Sequence, residues 1–194
     1  MAMDTRQKED LLVQTLLDWG AFRAAVVLVE KIEFEPSFRK LCESNACGMY
    51  GRSWMCPPHV GPVDKLIASA RRYRRALVYQ TVDTLEDSYD FEGMMAAGQR
   101  MNELAQKVRS SLTDLFGTKA LYLGAGGCRL CPVCAKREDK PCRFPDKALA
   151  SLEAYGVNVS RLAELAGMKY INGQDTVTYF GAVLFCEEDA ECPA

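Results

Sequence analysis

Nine cysteines, grouped into short segments, constrain this chain more than any other feature of its sequence. Three lie within residues 42–56, four within residues 128–142 and two within residues 186–192. The number is odd, and the polar stretch at residues 1–10 lacks the apolar core of a secretory signal. In a reducing compartment, thiols stay free unless a metal holds them. We therefore expect a cytoplasmic chain whose clustered cysteines are ligands of a metal or a metal cluster.

Composition indicates an ordinary globular protein. The 194 residues are 48% hydrophobic and 26% charged, and this balance is typical of folded domains. The length predicts one domain over residues 1–194, and no apolar run is long enough to cross a bilayer. Because the formal net charge is −2, no overall basic field attracts nucleic acid or an anionic membrane surface. We expect neither a nucleic acid nor a membrane as partner.

Strands alternate with helices along the chain. Runs of β-branched and aromatic residues predict strands at residues 24–34, 76–82, 119–123 and 176–185, and a short helix is predicted at residues 146–154. This order predicts an α/β fold, with a small mixed, mostly parallel sheet of about four strands flanked by helices. Two cysteine-rich loops interrupt the pattern. If the strands that precede them are parallel, both loops leave the same edge of the sheet, where ligands bind in open α/β folds.

The cysteine-rich loop at residues 124–145 contains the more specific pattern. Cys128, Cys131 and Cys134 form C-x2-C-x2-C, and Cys142 follows. The same spacing opens the bacterial ferredoxin pattern, in which thiolates hold a [4Fe–4S] cluster. A single zinc ion more often uses two C-x2-C pairs that are set well apart. The loop therefore predicts an iron–sulfur cluster, with zinc as the alternative.

The cysteine-rich loop at residues 36–62 offers three further thiols, those of Cys42, Cys47 and Cys56. Three ligands suit a cluster whose fourth iron takes a distant residue, and they also suit a cluster with an open iron that binds substrate. The candidates for a distant ligand are His59, Cys186 and Cys192. In ferredoxins with two clusters, the last cysteine of one motif serves the other cluster. Spacing therefore leaves the partition of the ligands open, including that of Cys142.

Both loops are rich in cations, namely Arg52, Arg129, Lys136, Arg137, Lys140 and Arg143. A [4Fe–4S] cluster with four thiolates carries a net negative charge, so nearby cations lower the cost of holding it. Cations at this density also suit the docking of an acidic partner protein.

The two cysteine segments resemble a known family. The first resembles its cysteines followed by Tyr-Gly, Trp and Cys-Pro-Pro, here Cys42, Cys47, Tyr50, Gly51, Trp54, Cys56, Pro57 and Pro58. The second is similar to its Gly-Cys-x2-Cys-x2-Cys, Pro-Cys-Arg-x-Pro and Ser-x-Glu-Ala-x-Gly runs, here Gly127, Cys128, Cys131, Cys134, Pro141, Cys142, Arg143, Pro145, Ser151, Glu153, Ala154 and Gly156. The family is domain of unknown function 2284, described as predicted metal-binding proteins of anaerobic bacteria and archaea. The resemblance covers roughly residues 25–185 and implies metal or iron–sulfur binding rather than a particular reaction.

Three hypotheses follow for the function. The first is a redox partner protein that carries one or two [4Fe–4S] clusters, held by the seven cysteines of the two loops, for electron transfer. The second is an enzyme that uses a three-cysteine cluster with an open iron, and the third is a zinc-stabilised interaction module. No catalytic side chain is predicted, because the sole histidine lies in the first cysteine loop and no Ser-His-Asp arrangement is available. The oligomeric state stays open, with a homodimer as one arrangement.

Overall fold

The computed structural model describes residues 4–116 and 120–186 of the chain, so that Lys119 and Cys192 lie outside the described residues. The helices are α1 (Thr5–Asp18), α2 (Phe38–Glu43), α3 (Val63–Ala70), α4 (Phe91–Phe116) and α5 (Val159–Leu165). The strands are β1 (Arg23–Leu28), β2 (Arg75–Thr84), β3 (Leu121–Gly124), β4 (Ala150–Ser151) and β5 (Thr176–Phe185). The first helix begins at Thr5 because Asp4 and Gln7 form a capping box, in which each side chain accepts the other residue's backbone N–H.

Within the described residues, the strands form one sheet in the order β1-β2-β5-β3-β4. Three of the four neighbouring pairs are antiparallel, and only β3 and β4 pair in parallel. The prediction of a mixed α/β sheet is confirmed, but the prediction that the sheet is mostly parallel is wrong. The prediction of about four strands is also one short, because part of the segment at residues 146–154 forms β4 instead of a helix.

The reason for the wrong strand directions lies in the position of β5. The long helix α4 connects β2 to β3, and the pairing registers show that these two strands run in the same direction. This unit is the crossover that the alternating pattern predicts. However, β5 lies between β2 and β3 and runs against both of them. Each hydrogen-bonded pair around β5 is therefore antiparallel, although the underlying crossover is parallel.

The two faces of the sheet bury different partners. One face packs against α1 and α4, with a core that includes Leu77, Tyr79 and Val183. The other face packs against α3, α5 and irregular segments, with a core that includes Val78 and Ala182. Met55 and Val60 of the first cysteine loop pack against this second core. The loop therefore lies on the sheet face that α1 and α4 do not cover. Within the described ranges, every helix is too short or too polar to cross a membrane.

The two cysteine loops do not leave a shared edge of the sheet. Strands β1 and β3 run in opposite directions, so the expectation that their carboxyl ends coincide is wrong. The chain instead turns back after Leu28 and crosses the face of the sheet. Phe34 forms an antiparallel bridge with Val157, and the Glu35 N–H donates to the Gly156 carbonyl. This return path carries the first cysteine loop over the face toward the second one.

Candidate metal centre

Hydrogen bonds between residues close in sequence shape the first cysteine loop. Helix α2 ends one residue after Cys42, and Asn45 then adopts a left-handed conformation with φ of 55°. The Asn45 side chain accepts the Tyr50 N–H at 3.0 Å, which is the kind of local bond that lets asparagine replace helix with a turn. Farther along, the Gly51 N–H donates to the Pro57 carbonyl at 2.8 Å. These turns bring the thiols of Cys42, Cys47 and Cys56 close enough for their charges to affect one another.

The second cysteine loop folds around its own thiols. Cys128 accepts hydrogen bonds from the backbone N–H groups of Leu130 and Leu149. Besides burial, the nearby thiols of Cys134 and Cys142 raise its pKa. Cys134 precedes a short 3-10 helix at Ala135–Glu138. Cys131 is half-buried, as are Cys128, Cys134 and Cys142. The loop thus exposes part of each thiol while its backbone holds the segment in place.

The structure brings the two loops together. A Cβ atom added to Gly127 would lie 3.6 Å from Cys56 Sγ and 3.6 Å from Met49 Cε, so the backbone before Cys128 passes directly beside the first loop. Besides burial, the Cys128 thiol is also close enough to Cys56 to raise its pKa. A glycine, which has no Cβ, permits this close approach of the backbone. In the structure, the neighbour of Gly127 is the first cysteine loop.

Ser53 and Trp54 join the two loops at four points. The Ser53 side chain is fully buried, and its hydroxyl lies beside the thiols of both Cys56 and Cys134. The backbone N–H of Trp54 donates to the sulfur of Cys134, and its indole Nε1–H donates to the Lys140 carbonyl at 2.9 Å. The Lys136 ammonium lies over the indole ring, 5.0 Å from its centroid. We call residues 53–54 the clasp.

The thiols differ in acidity across the clasp. Burial raises the pKa of Cys56 to about 11, against the opposing hydrogen bond from Ser53. Burial likewise raises the pKa of Cys42 and of Cys128. For Cys134, burial again favours the neutral thiol, but the backbone N–H groups of Lys136 and Trp54, the Ser53 hydroxyl and the Arg143 charge together outweigh it and lower the pKa. Cys134 is therefore the thiol with the best-stabilised anion of these four.

Positive charge surrounds the thiols. Residues 36–62 carry a formal charge of +2 and residues 124–145 carry +3, whereas the whole chain carries −2. Arg39 and Arg143 act on individual cysteines, since Arg39 favours the Cys42 thiolate and Arg143 favours that of Cys134. A group of thiolates and metal with net negative charge would therefore meet a compensating field at this place.

The predicted distant ligands lie in different places. Cys186 follows β5 at the end opposite to the second loop, because Leu123 pairs with Ala182 and Leu121 pairs with Leu184. At about 3.4 Å per residue, Cys186 lies about 17 Å along the strand from the point where the second loop leaves the sheet. His59 packs edge-on against Trp54, with ring centroids 5.4 Å apart. Cys192 lies outside the described residues.

The seven thiols share a region but do not surround a single ion. Within residues 4–116 and 120–186, no three Cys, His, Asp or Glu side chains converge closely enough to hold one metal ion. The partition of ligands between sites therefore stays a prediction. Sequence reasoning missed the linking role of Ser53, whose position three residues before Cys56 was its one visible signal.

These features define a cysteine-rich protein with a mixed α/β sheet and two cysteine loops that contact each other. Comparison with protein families then identifies it further. The chain belongs to the family of predicted metal-binding proteins named DUF2284, whose model matches residues 25–185. The resemblance drawn from the cysteine segments is thereby confirmed. No significant match was found among curated proteins or among solved structures.

Proposed function

We propose that this chain is an iron–sulfur protein that carries one or two [4Fe–4S] clusters and passes single electrons to a redox partner. The observation that carries the proposal is the meeting of two cysteine loops, distant in sequence, at the clasp and at Gly127. Cys128, Cys131, Cys134 and Cys142 would hold one cluster. Cys42, Cys47 and Cys56 would hold the other, with a fourth ligand unassigned.

The donor set supports a cluster over a single zinc ion. All seven candidate ligands are thiols, which are the ligands that iron–sulfur clusters take. The C-x2-C-x2-C spacing of Cys128, Cys131 and Cys134 is the one that opens the bacterial ferredoxin pattern, whereas a single zinc ion more often takes two C-x2-C pairs set well apart. The positive charge of both loops also favours a group with net negative charge.

The chain's own residues would set the properties of such a cluster. When bound, the cluster supplies reversible one-electron chemistry. Backbone N–H groups of Leu130, Leu149 and Trp54 point at cysteine sulfurs, and hydrogen bonds of this kind tune the reduction potential. The Ser53 hydroxyl is fully buried, so this part of the site is shielded from water. Adjacent sites within one protein allow an electron to pass between them.

The test is anaerobic purification, with iron, sulfide and zinc measured per chain and the visible spectrum recorded before and after reduction. About eight irons and eight sulfides, with brown absorption that bleaches on reduction, would support two clusters, and about four of each would support one. One or two zinc ions and no colour would refute the proposal and leave the zinc-stabilised module. Catalytic turnover at an open iron would instead favour the enzyme hypothesis.

Cysteine variants assign the sites. Cys128→Ser should remove the iron of the second loop, and Cys56→Ser should remove that of the first. Cys186→Ser serves as the matched control, because this residue lies at the other end of β5. Equal iron loss in all three variants would contradict the assignment.

A further inference from the structure

The second cysteine loop exposes apolar side chains next to its thiols. Val133, which lies between Cys131 and Cys134, is 48% exposed, and Phe144, two residues after Cys142, is 44% exposed. Single exposed apolar residues are ordinary on a protein surface. These two, however, belong to one small area, because the Arg143 guanidinium donates to the Val133 carbonyl at 2.8 Å. The bond ties the end of the loop to its middle.

The loop that carries this apolar area has a net positive charge. Arg137 and Arg143 are exposed on the same loop, and the loop as a whole carries a formal charge of +3. The rest of the chain must be acidic, because the total is −2 although the two cysteine loops together are positive. The charge is thus separated, with the positive part at the cysteines. We call Val133, Phe144, Arg137 and Arg143 the loop surface.

We propose that the loop surface docks a protein that presents an acidic rim around an apolar centre. Apolar contacts in the middle and complementary charges at the edge are the usual arrangement of transient interfaces. The partly exposed thiols of Cys131 and Cys142 adjoin the surface. A partner bound there would contact the part of the chain that holds the proposed cluster. The inference rests on the proposed function only in taking the partner to be an electron carrier.

A second copy of this chain is a poorer occupant. In a twofold symmetric dimer the same surface lies on both sides of the interface. Joining two copies through the loop surface would set the +3 loop of one against the +3 loop of the other. Like charges in direct opposition disfavour an interface. An acidic partner avoids this repulsion and gains attraction instead.

The test is calorimetric titration of the metal-loaded protein with a flavodoxin, a small acidic electron carrier, and with the basic cytochrome c as the opposite probe. At an ionic strength of about 0.01 M, where charges act over about 30 Å, flavodoxin should bind and cytochrome c should not. Arg137→Glu should weaken flavodoxin binding about fivefold, the range of one exposed ion pair, and lessen its dependence on salt. Phe144→Ser should weaken binding without altering the salt dependence. Arg6→Glu, an exposed charge on α1, should leave binding unchanged.

The outcomes separate this inference from the proposed function. Flavodoxin binding that depends on Arg137 and Phe144 in a colourless, zinc-loaded protein would support the loop surface and refute electron transfer. An iron-loaded protein that shows no flavodoxin binding, or binding that Arg6→Glu weakens as much as Arg137→Glu, would overturn the loop surface alone. A dimer that Phe144→Ser dissociates would also overturn it, since a second copy would then be the occupant.

Discussion

Trp54 gives the sharpest test of the idea that the two cysteine loops act as one unit. Trp54→Phe removes the indole N–H that donates to the Lys140 carbonyl at 2.9 Å and shrinks the ring beneath the Lys136 ammonium. A net hydrogen bond is worth about 0.5–1.5 kcal/mol, and an exposed cation–π contact is worth about 0.5–1 kcal/mol. Because Phe keeps part of the cation–π contact, we expect the free energy of separating the two loops to fall by about 1–2 kcal/mol.

That free energy converts into a rate that can be measured. A change of about 1–2 kcal/mol raises the population of the opened loops about 5- to 30-fold. If bound metal leaves through the opened state, anaerobic transfer of metal to an excess of chelator should accelerate by the same factor. Metal content before the chelator is added should stay that of the unaltered protein, because no thiol has been changed.

The chain contains a matched control in its other tryptophan. Trp19 also lies under a lysine, with Lys107 Nζ 4.9 Å from its ring centroid, but it packs in the core that α1 and α4 form. Trp19→Phe should lower the free energy of unfolding without changing the rate of metal release. The reasoning would be refuted if Trp54→Phe released metal at the unaltered rate, or if Trp19→Phe accelerated release equally.

Further changes test the core, the thiols and the outlying cysteine. Gly181→Ala would place a Cβ atom 2.5 Å from Cζ of the buried Tyr79 ring, and overpacking of this kind should cost about 1–3 kcal/mol in urea unfolding; full stability in the variant would contradict the packing. In the metal-free protein at neutral pH, iodoacetamide should modify Cys134 before Cys56, as peptide mass spectrometry would show, because hydrogen bonds lower the pKa of the first and burial raises that of the second. The raised pKa of Cys56 means that the folded protein favours the neutral thiol, so this contribution to stability is complete below about pH 9 and is lost as the pH rises toward about 11. The urea midpoint should therefore fall over this window, and a midpoint that rises would contradict the burial of Cys56. Cys186→Ser should keep the full metal content, and metal loss in this variant would show that the tail reaches the site.

The sequence predicted the family, through its cysteine segments, better than it predicted the sheet. Cysteine spacing is local, so the pattern of Cys128, Cys131 and Cys134 could be matched to a family of predicted metal-binding proteins without any knowledge of the fold. Whether neighbouring strands are parallel depends on their order in the sheet, and here β5 lies between β2 and β3. Residues 180–185 of β5 are apolar and buried, as the interior of a central strand requires. That run of residues does not indicate which strands β5 pairs with or in which direction it lies relative to them.

The meeting of the two loops was expected for the wrong reason. The prediction placed both loops at one edge of a parallel sheet, whereas the first loop reaches the second by crossing a face. The crossing depends on contacts such as the bridge between Phe34 and Val157, which are 123 positions apart in the chain. Ser53 shows the same limit, since a serine near a cysteine is common and only the fold places its hydroxyl between two loops.

The region of the thiols has little core of its own, and this bears on what a bound metal does for the fold. Helix α2 has no buried residue, and the cysteine loops contribute few side chains to the two sheet cores. The two cores consist mainly of strands and of the helices α1, α3, α4 and α5, which lie outside the two loops. Ligand bonds from both loops to one group, or to two adjacent groups, would therefore supply the cohesion that apolar burial does not supply there. The two sheet cores are apolar throughout, whereas the contacts that the described residues show between the two loops are mainly the hydrogen bonds and the cation–π contact of the clasp.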